Sequence, residues 1–132
     1  AGIALHEDGL VHARYYGTFP RKIRHFAINN AFMTKEEVIR SMTGLPAEIL
    51  GFRDRGLVRP GFKADIVIVD PENIRDRATY LQPHQYASGV DFVWINGKKV
   101  VGFNQPTKAL AGVVISPAPR QKRKQPPRQT DD

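Results

Sequence analysis

The spacing of apolar positions divides the chain into a helical part and a strand-rich part. In the helical part, residues 21–30 read as one helix with Ile23, Phe26 and Ala27 facing inward and Asn29-Asn30 closing it. Thr34-Lys35-Glu36-Glu37 has the form of a capping box, in which the Thr34 hydroxyl takes a free amide at a helix start and Glu37 reaches back to the cap. Val38, Ile39 and Met42 then fall on one helical face, and Gly44 is the expected stop. Pro46 suits the first turn of a second short helix over residues 46–50, because its missing N–H would be unpaired there, and Gly51 suits the exit.

Beyond the turn-forming Arg53-Asp54-Arg55-Gly56, the period changes. Ala64-Asp65-Ile66-Val67-Ile68-Val69-Asp70 is a β-branched run too continuous for a half-exposed strand, so it predicts a strand covered on both faces. Residues 91–101 carry Asn96-Gly97 between two apolar runs, a strong hairpin signal because the turn needs positive φ at both central residues. Residues 74–89 between them are polar and aromatic, which predicts a long connection packed over the rest of the molecule. No internal repeat is visible.

Composition narrows the chemistry. The chain has 132 residues, 41% of them apolar, a net charge of +7 and no cysteine. That length suits one domain or part of a larger one. Without cysteine the chain offers no disulfide, thiolate metal site or cysteine nucleophile. No apolar stretch nears the roughly 20 residues of a membrane span, and no signal peptide precedes the first residues, so a soluble cytoplasmic protein is expected. The charge is uneven: residues 116–132 hold a net +3, four prolines and no aromatic residue, which predicts a disordered basic tail. Arg120-Gln121-Lys122-Arg123-Lys124 suits an anionic surface, but a solvated basic end is the commoner case, and nucleic acid is not the expected partner.

The catalytic inventory is thin. His6, Glu7, Asp8 and His12 lie close in sequence, yet neither an i, i+4 histidine pair nor His-x-His is present, so no metal site is expected from these residues. Ser41, Ser88 and Ser116 lie in no nucleophile-elbow context, Gly102 and Gly112 form no phosphate loop, and His25 reads as a partly buried helix residue. One segment concentrates chemistry: His12-Ala13-Arg14-Tyr15-Tyr16-Gly17-Thr18-Phe19-Pro20-Arg21. Its Gly and Pro predict a loop feeding a helix, and its guanidinium and hydroxyls suit a carboxylate. The competing possibility is that Arg14 forms a structural salt bridge and the tyrosines pack on the core.

That segment resembles the His-Pro-Arg…Gly-Thr-Phe-Pro-Arg stretch of the D-aminoacylase (N-acyl-D-amino-acid deacylase) branch of the amidohydrolase superfamily. The likeness continues through residues 41–47 and through Gly56-Leu57-Val58-Arg59-Pro60-Gly61-Phe62-Lys63-Ala64-Asp65-Ile66-Val67. It extends to Pro83-His84-Gln85-Tyr86 and Val93-Trp94-Ile95-Asn96-Gly97, so that it covers residues 1 to about 115. The Ala-Asp strand and the Asn-Gly hairpin are common to many amidohydrolases, whereas Gly-Thr-Phe-Pro-Arg and Pro-His-Gln-Tyr are more specific to the deacylases. Relatives acting on cyclic amides, of the dihydropyrimidinase and dihydroorotase kind, have similar loops and remain an alternative, as does a basic interaction module.

The resemblance implies an α/β fragment: the last helices of a metal-dependent hydrolase (β/α)8 barrel, followed by the C-terminal strands of a small β-sandwich. Residues 1–52 would end the barrel, 53–115 would supply the sandwich portion and the long connection, and 116–132 would be the tail. About 250 residues are typical of a whole barrel, so an N-terminal barrel portion would be a missing partner. It further implies zinc in the full-length enzyme, bound through a His-x-His pair, a bridging Cys or carboxylate and two later histidines, none of which matches a position here. Zinc would polarise the amide carbonyl, and a general-base Asp would take a proton from the attacking water. That Asp is expected just before Ala1; Asp8 is the nearest carboxylate in this chain, but its Glu-Asp-Gly context and offset differ. Arg14 matches the arginine that holds the α-carboxylate of the N-acyl-D-amino-acid substrate. His12 occupies the matching histidine position as a second substrate-binding candidate, and Ala13 replaces the usual Pro.

Overall fold

The computed structural model describes residues 11–116. The expected tail beyond Ser116, the expected cut before Ala1, and His6, Glu7 and Asp8 all lie outside the described residues.

The chain starts helical earlier than its Gly and Pro predict. Helix α1 spans Arg14–Arg21 and continues without a break into a π-helical segment, Lys22–Asn29. The expected loop over residues 12–21 is therefore mostly helix. Two features explain this. Gly17 is buried against the long connection, where a Cβ would come within 2.9 Å of Asp76 Cβ, so glycine is there for close approach rather than for a turn. Pro20 has no amide to give the Tyr16 carbonyl, and the hydrogen bonding beyond it widens to i→i+5 instead of ending the helix. Asn30 closes the segment by donating from Nδ2 to the His25 carbonyl (2.7 Å), and Ala31 turns the chain with φ of 50°. Ile23 and Ala27 are half-buried as expected, but Phe26 is exposed, in an edge-to-face group with His25 and Phe32.

The capping box forms as expected. The Glu37 N–H donates to Thr34 Oγ1 (3.1 Å), the Thr34 N–H donates to Glu37 Oε2 (2.8 Å), and helix α2 follows over Lys35–Met42. Helix α3 spans Gly44–Leu50, so Gly44 opens a helix rather than stopping one, and Pro46 lies in its first turn. Thr43, with φ of −127° and ψ of −84°, makes the break, and Gly51 at φ of 74° supplies the left-handed exit. Val38 is fully buried at the centre of this helical group.

Four antiparallel strands form one sheet in the order β1 (Ile66–Val69), β2 (Val90–Ile95), β3 (Lys98–Gly102), β4 (Gln105–Pro106). Asn96 and Gly97 take φ of 50° and 77°, the mirror-image turn that their sequence predicts. Strand β1 pairs with β2 in the register Ile66↔Trp94 and Val67↔Val93, and it lies at the edge of the sheet. The expectation of cover on both faces fails among the described residues: Val67 is 57% exposed and Ile68 46%. A run of β-branched residues marks a strand, but what covers it comes from elsewhere in the sequence.

Polar side chains lock one end of the sheet. Asp65 Oδ1 accepts the Asn96 N–H (2.8 Å), Asp65 pairs with Arg55, and Arg55 also donates to Asn96 Oδ1 (2.7 Å). Asn96 Nδ2 completes the hub by donating to the Ala111 carbonyl (2.8 Å). This gives a physical role to the Ala-Asp and Asn-Gly motifs, which are tied to each other across the first two strands.

The connection over residues 74–89 packs over the molecule as expected. Its Ile74 is fully buried and worth roughly 1.5–3 kcal/mol of apolar burial. Gly89, at φ of 72°, lies where a Cβ would meet the Ile74 amide at 2.4 Å, and Arg75 and Ser88 bridge the two ends of the connection. Arg24 ties the helices to the turn after β1, donating to the carbonyls of Pro71 (3.5 Å) and Glu72 (3.0 Å).

Candidate functional site

Folding the connection back onto α1 brings together two motifs that are 68 residues apart. The Tyr16 hydroxyl lies 3.5 Å from His84 Nδ1. The Tyr16 ring meets His84 (6.0 Å between centroids), Tyr86 (5.8 Å) and Tyr15 (5.4 Å) edge-on, and Tyr80 meets the His12 ring at 5.2 Å. Tyr16, His84 and Tyr86 are half-buried, while His12, Arg14 and Tyr80 are exposed. Two sets of ring contacts thus join this stretch to the connection, Tyr16 with His84 and Tyr86 and His12 with Tyr80, and Arg14 lies between them in sequence.

Several contacts hold α1 in this place. Arg21 pairs with Asp76 (3.3 Å), and Gly17 lets the two segments close upon each other. The Arg14 amide donates to His12 Nδ1 (3.0 Å), and the Arg14 carbonyl accepts from the Thr18 hydroxyl. Among the described residues no carboxylate pairs with the Arg14 guanidinium; the ion pairs are Arg21–Asp76, Arg40–Glu48 and Arg55–Asp65. The tyrosines, in turn, pack on one another and on His84. Of the residues singled out in the sequence, His12 and Arg14 therefore lie together at the start of α1. The structure adds Tyr16, Tyr80, His84 and Tyr86. Their signal in the sequence was the occurrence of two His- and Tyr-bearing motifs of the same deacylase type, which nothing in local periodicity could join.

Among the described residues no group of three or more His, Asp or Glu side chains is placed to hold an ion. His25 lies apart from the Tyr16 cluster, against Phe26, Phe32 and Asn30. An open depression of about 610 Å³ between Arg24, Ile28, Lys35, Asp70, Pro71 and Glu72 shares no residue with the cluster. There the Asn73 side chain and then the Glu72 amide hold the Asp70 carboxyl below the usual value, by hydrogen bonds to its charged form. No helix among the described residues is long and apolar enough to cross a membrane.

Comparison with known proteins shows the family. Residues 7–101 match the amidohydrolase family, and the chain belongs to it. It is 37% identical over 106 residues to an N-acyl-D-aspartate deacylase of Alcaligenes xylosoxydans xylosoxydans, covering 80% of this chain and 21% of that protein. The crystal structure of a D-aminoacylase superposes with a TM-score of 0.77 at 37% identity, over 80% of this chain and 22% of that one. An N-acyl-D-glutamate deacylase of Bordetella bronchiseptica, solved with zinc and a phosphonate mimic of the tetrahedral intermediate, superposes with a TM-score of 0.67 at 39% identity, over 74% and 20%. The chain thus spans about a fifth of the length of the relatives it matches. A small antiparallel sheet with helices is the part of the amidohydrolase fold that it carries.

Proposed function

We propose that this chain forms the C-terminal part of a zinc-dependent amidohydrolase that cleaves the amide bond of N-acyl-D-amino acids, and that Arg14 holds the substrate's α-carboxylate. The helices would complete a barrel, and β1 to β4 would belong to a small sandwich whose remaining strands cover the exposed face of β1. The observation that carries the proposal is Arg14, exposed and without a carboxylate partner among the described residues, on the short stretch of chain whose Tyr16 packs against His84 and Tyr86.

The chain's own share in the reaction is binding and orientation. A planar guanidinium meets a carboxylate with two parallel hydrogen bonds, which fixes the direction of the amide as well as its place. Holding the substrate in that way turns an encounter into a set geometry at the reacting bond. The described residues do not supply zinc's donor set, so on this reading the metal and the general base belong to residues outside them.

The test is a comparison of two substrates on a protein of the relatives' length that carries this chain, with zinc supplied. An N-acetyl-D-amino acid should be hydrolysed at least tenfold faster, in kcat/KM, than the same compound with its carboxylate converted to a carboxamide, and its L-enantiomer should be poorer. Equal rates on acid and carboxamide would remove the clamp, and hydrolysis of neither would remove the deacylase.

A further inference from the structure

Arg14 is gripped through its backbone on both sides. Its amide donates to His12 Nδ1 at 3.0 Å, and its carbonyl accepts from the Thr18 hydroxyl four residues on. Both partners belong to the same short motif. Ala13 already has helical dihedrals, with φ of −51° and ψ of −29°, and the His12 carbonyl accepts the Tyr15 amide at 2.9 Å. In hydrogen-bonding terms His12 therefore stands where a helix cap stands, with its imidazole doing what the oxygen of Asp, Asn or Ser does elsewhere. The cap is itself braced, because the Tyr80 ring meets the His12 ring edge-on at 5.2 Å.

We propose that His12 is a positioning residue: it caps the first turn of α1 and thereby sets where the Arg14 side chain leaves the helix. The chemistry follows from one lone pair. A nitrogen that accepts the Arg14 amide carries no proton, so the neutral ring is held in the tautomer with its proton on Nε2. A cap is wanted here more than in most helices, since α1 begins with no side-chain bond from Ala13, has no acidic residue in its first turn, and carries Gly17 and Pro20 within eight residues. Thr18 acts on the carbonyl side. The stretch from the His-x-Arg motif to the Thr of Gly-Thr-Phe-Pro-Arg is, on this view, one device for pinning one arginine. Among the described residues, the His12 ring meets the Tyr80 ring and the Arg14 amide.

Nitrogen-15 NMR of the His12 ring in this 132-residue chain tests the cap directly. The expected spectrum shows Nδ1 unprotonated and Nε2 protonated. The Arg14 amide should exchange with solvent on the order of fivefold faster in His12→Ala, the size of effect expected for loss of a side-chain cap, and His12→Asn should restore it, because asparagine caps well. A proton on Nδ1, or Arg14 exchange that is the same in all three proteins, overturns the proposal.

The link to binding rests on the deacylase reading and has its own readout. In a protein of the relatives' length, His12→Ala should raise KM for the N-acetyl-D-amino acid by a larger factor than for the carboxamide analogue, and His12→Asn should recover most of the loss. Equal losses on both substrates make His12 merely structural and overturn the positioning role. No hydrolysis by the unsubstituted protein counts against the deacylase reading alone, since the cap is judged by the ring and amide spectra.

Discussion

Replacing Gly17 with alanine tests whether α1 is seated on the connection as described. In an exposed helix the change would stabilise by about 0.5–1 kcal/mol, because alanine has less backbone freedom to lose. Here the new Cβ would lie 2.9 Å from Asp76 Cβ, against an ordinary contact of 3.4–4 Å, so one segment must retreat by at least half an ångström. Overpacking of this kind costs roughly 1–3 kcal/mol. The Arg21–Asp76 pair, exposed on the arginine side, adds little to either side of the balance. The net effect expected is a destabilisation of about 1 kcal/mol, after the helix-propensity gain is set against the clash. Urea unfolding followed by tyrosine fluorescence and far-UV circular dichroism measures it, and the nuclear Overhauser contacts between Tyr16 and His84 should weaken in the same variant. A Gly17→Ala protein that is more stable, with those contacts unchanged, would mean that α1 does not pack against Asp76.

Other expectations follow from the same contacts. Thr34→Ala removes the hydroxyl of the capping box and should cost about 1 kcal/mol, with loss of helical signal that Thr34→Ser largely prevents. Asp65→Ala leaves the Asn96 amide without its acceptor and the largely buried Arg55 guanidinium with only Asn96 Oδ1; about 2–3 kcal/mol should be lost, read as a lower urea midpoint, and a change within 0.5 kcal/mol would deny the hub its role. For pH, the Thr34 amide and then its hydroxyl hold the Glu37 carboxyl below 4.5, and the Asn73 side chain and then the Glu72 amide hold the Asp70 carboxyl below 3.8. Both folded values lie below the unfolded ones, so these groups contribute stability that is fully present above about pH 5 and lost as pH falls through the folded values. Carboxyl carbon-13 titration checks this, and a Glu37 midpoint above 4.5 would contradict it.

What the sequence revealed depended on how local the cause was. The capping box needs four consecutive residues, and the Asn96-Gly97 turn needs two, so each carries its whole explanation within itself. Residues 12–21 read as a loop in the sequence because Gly17 and Pro20 are turn formers by composition. Their actual roles are a close approach to Asp76, 59 positions further on, and a widening of the helical hydrogen bonding from i→i+4 to i→i+5. Strand β1 was legible as a strand, since β-branched residues suit the extended backbone, but its lack of cover was not, because pairing partners are chosen by the fold. The candidate site falls between these cases. Arg14 and His12 could be singled out because fork-shaped cations and imidazoles have recognisable chemistry, whereas His84 and Tyr86 reach Tyr16 of the same stretch only because residues 74–89 fold back over α1.

The central claim is the clamp, and Arg14→Ala measures it. In a protein of the relatives' length that carries this chain, loss of a charged hydrogen-bonding group should lower kcat/KM on an N-acetyl-D-amino acid by roughly 1.5–3 kcal/mol, about 10- to 150-fold. Activity on the carboxamide analogue should stay where it was, because that substrate never used the guanidinium charge. An Arg14→Ala enzyme with an unchanged kcat/KM on the acid contradicts the account.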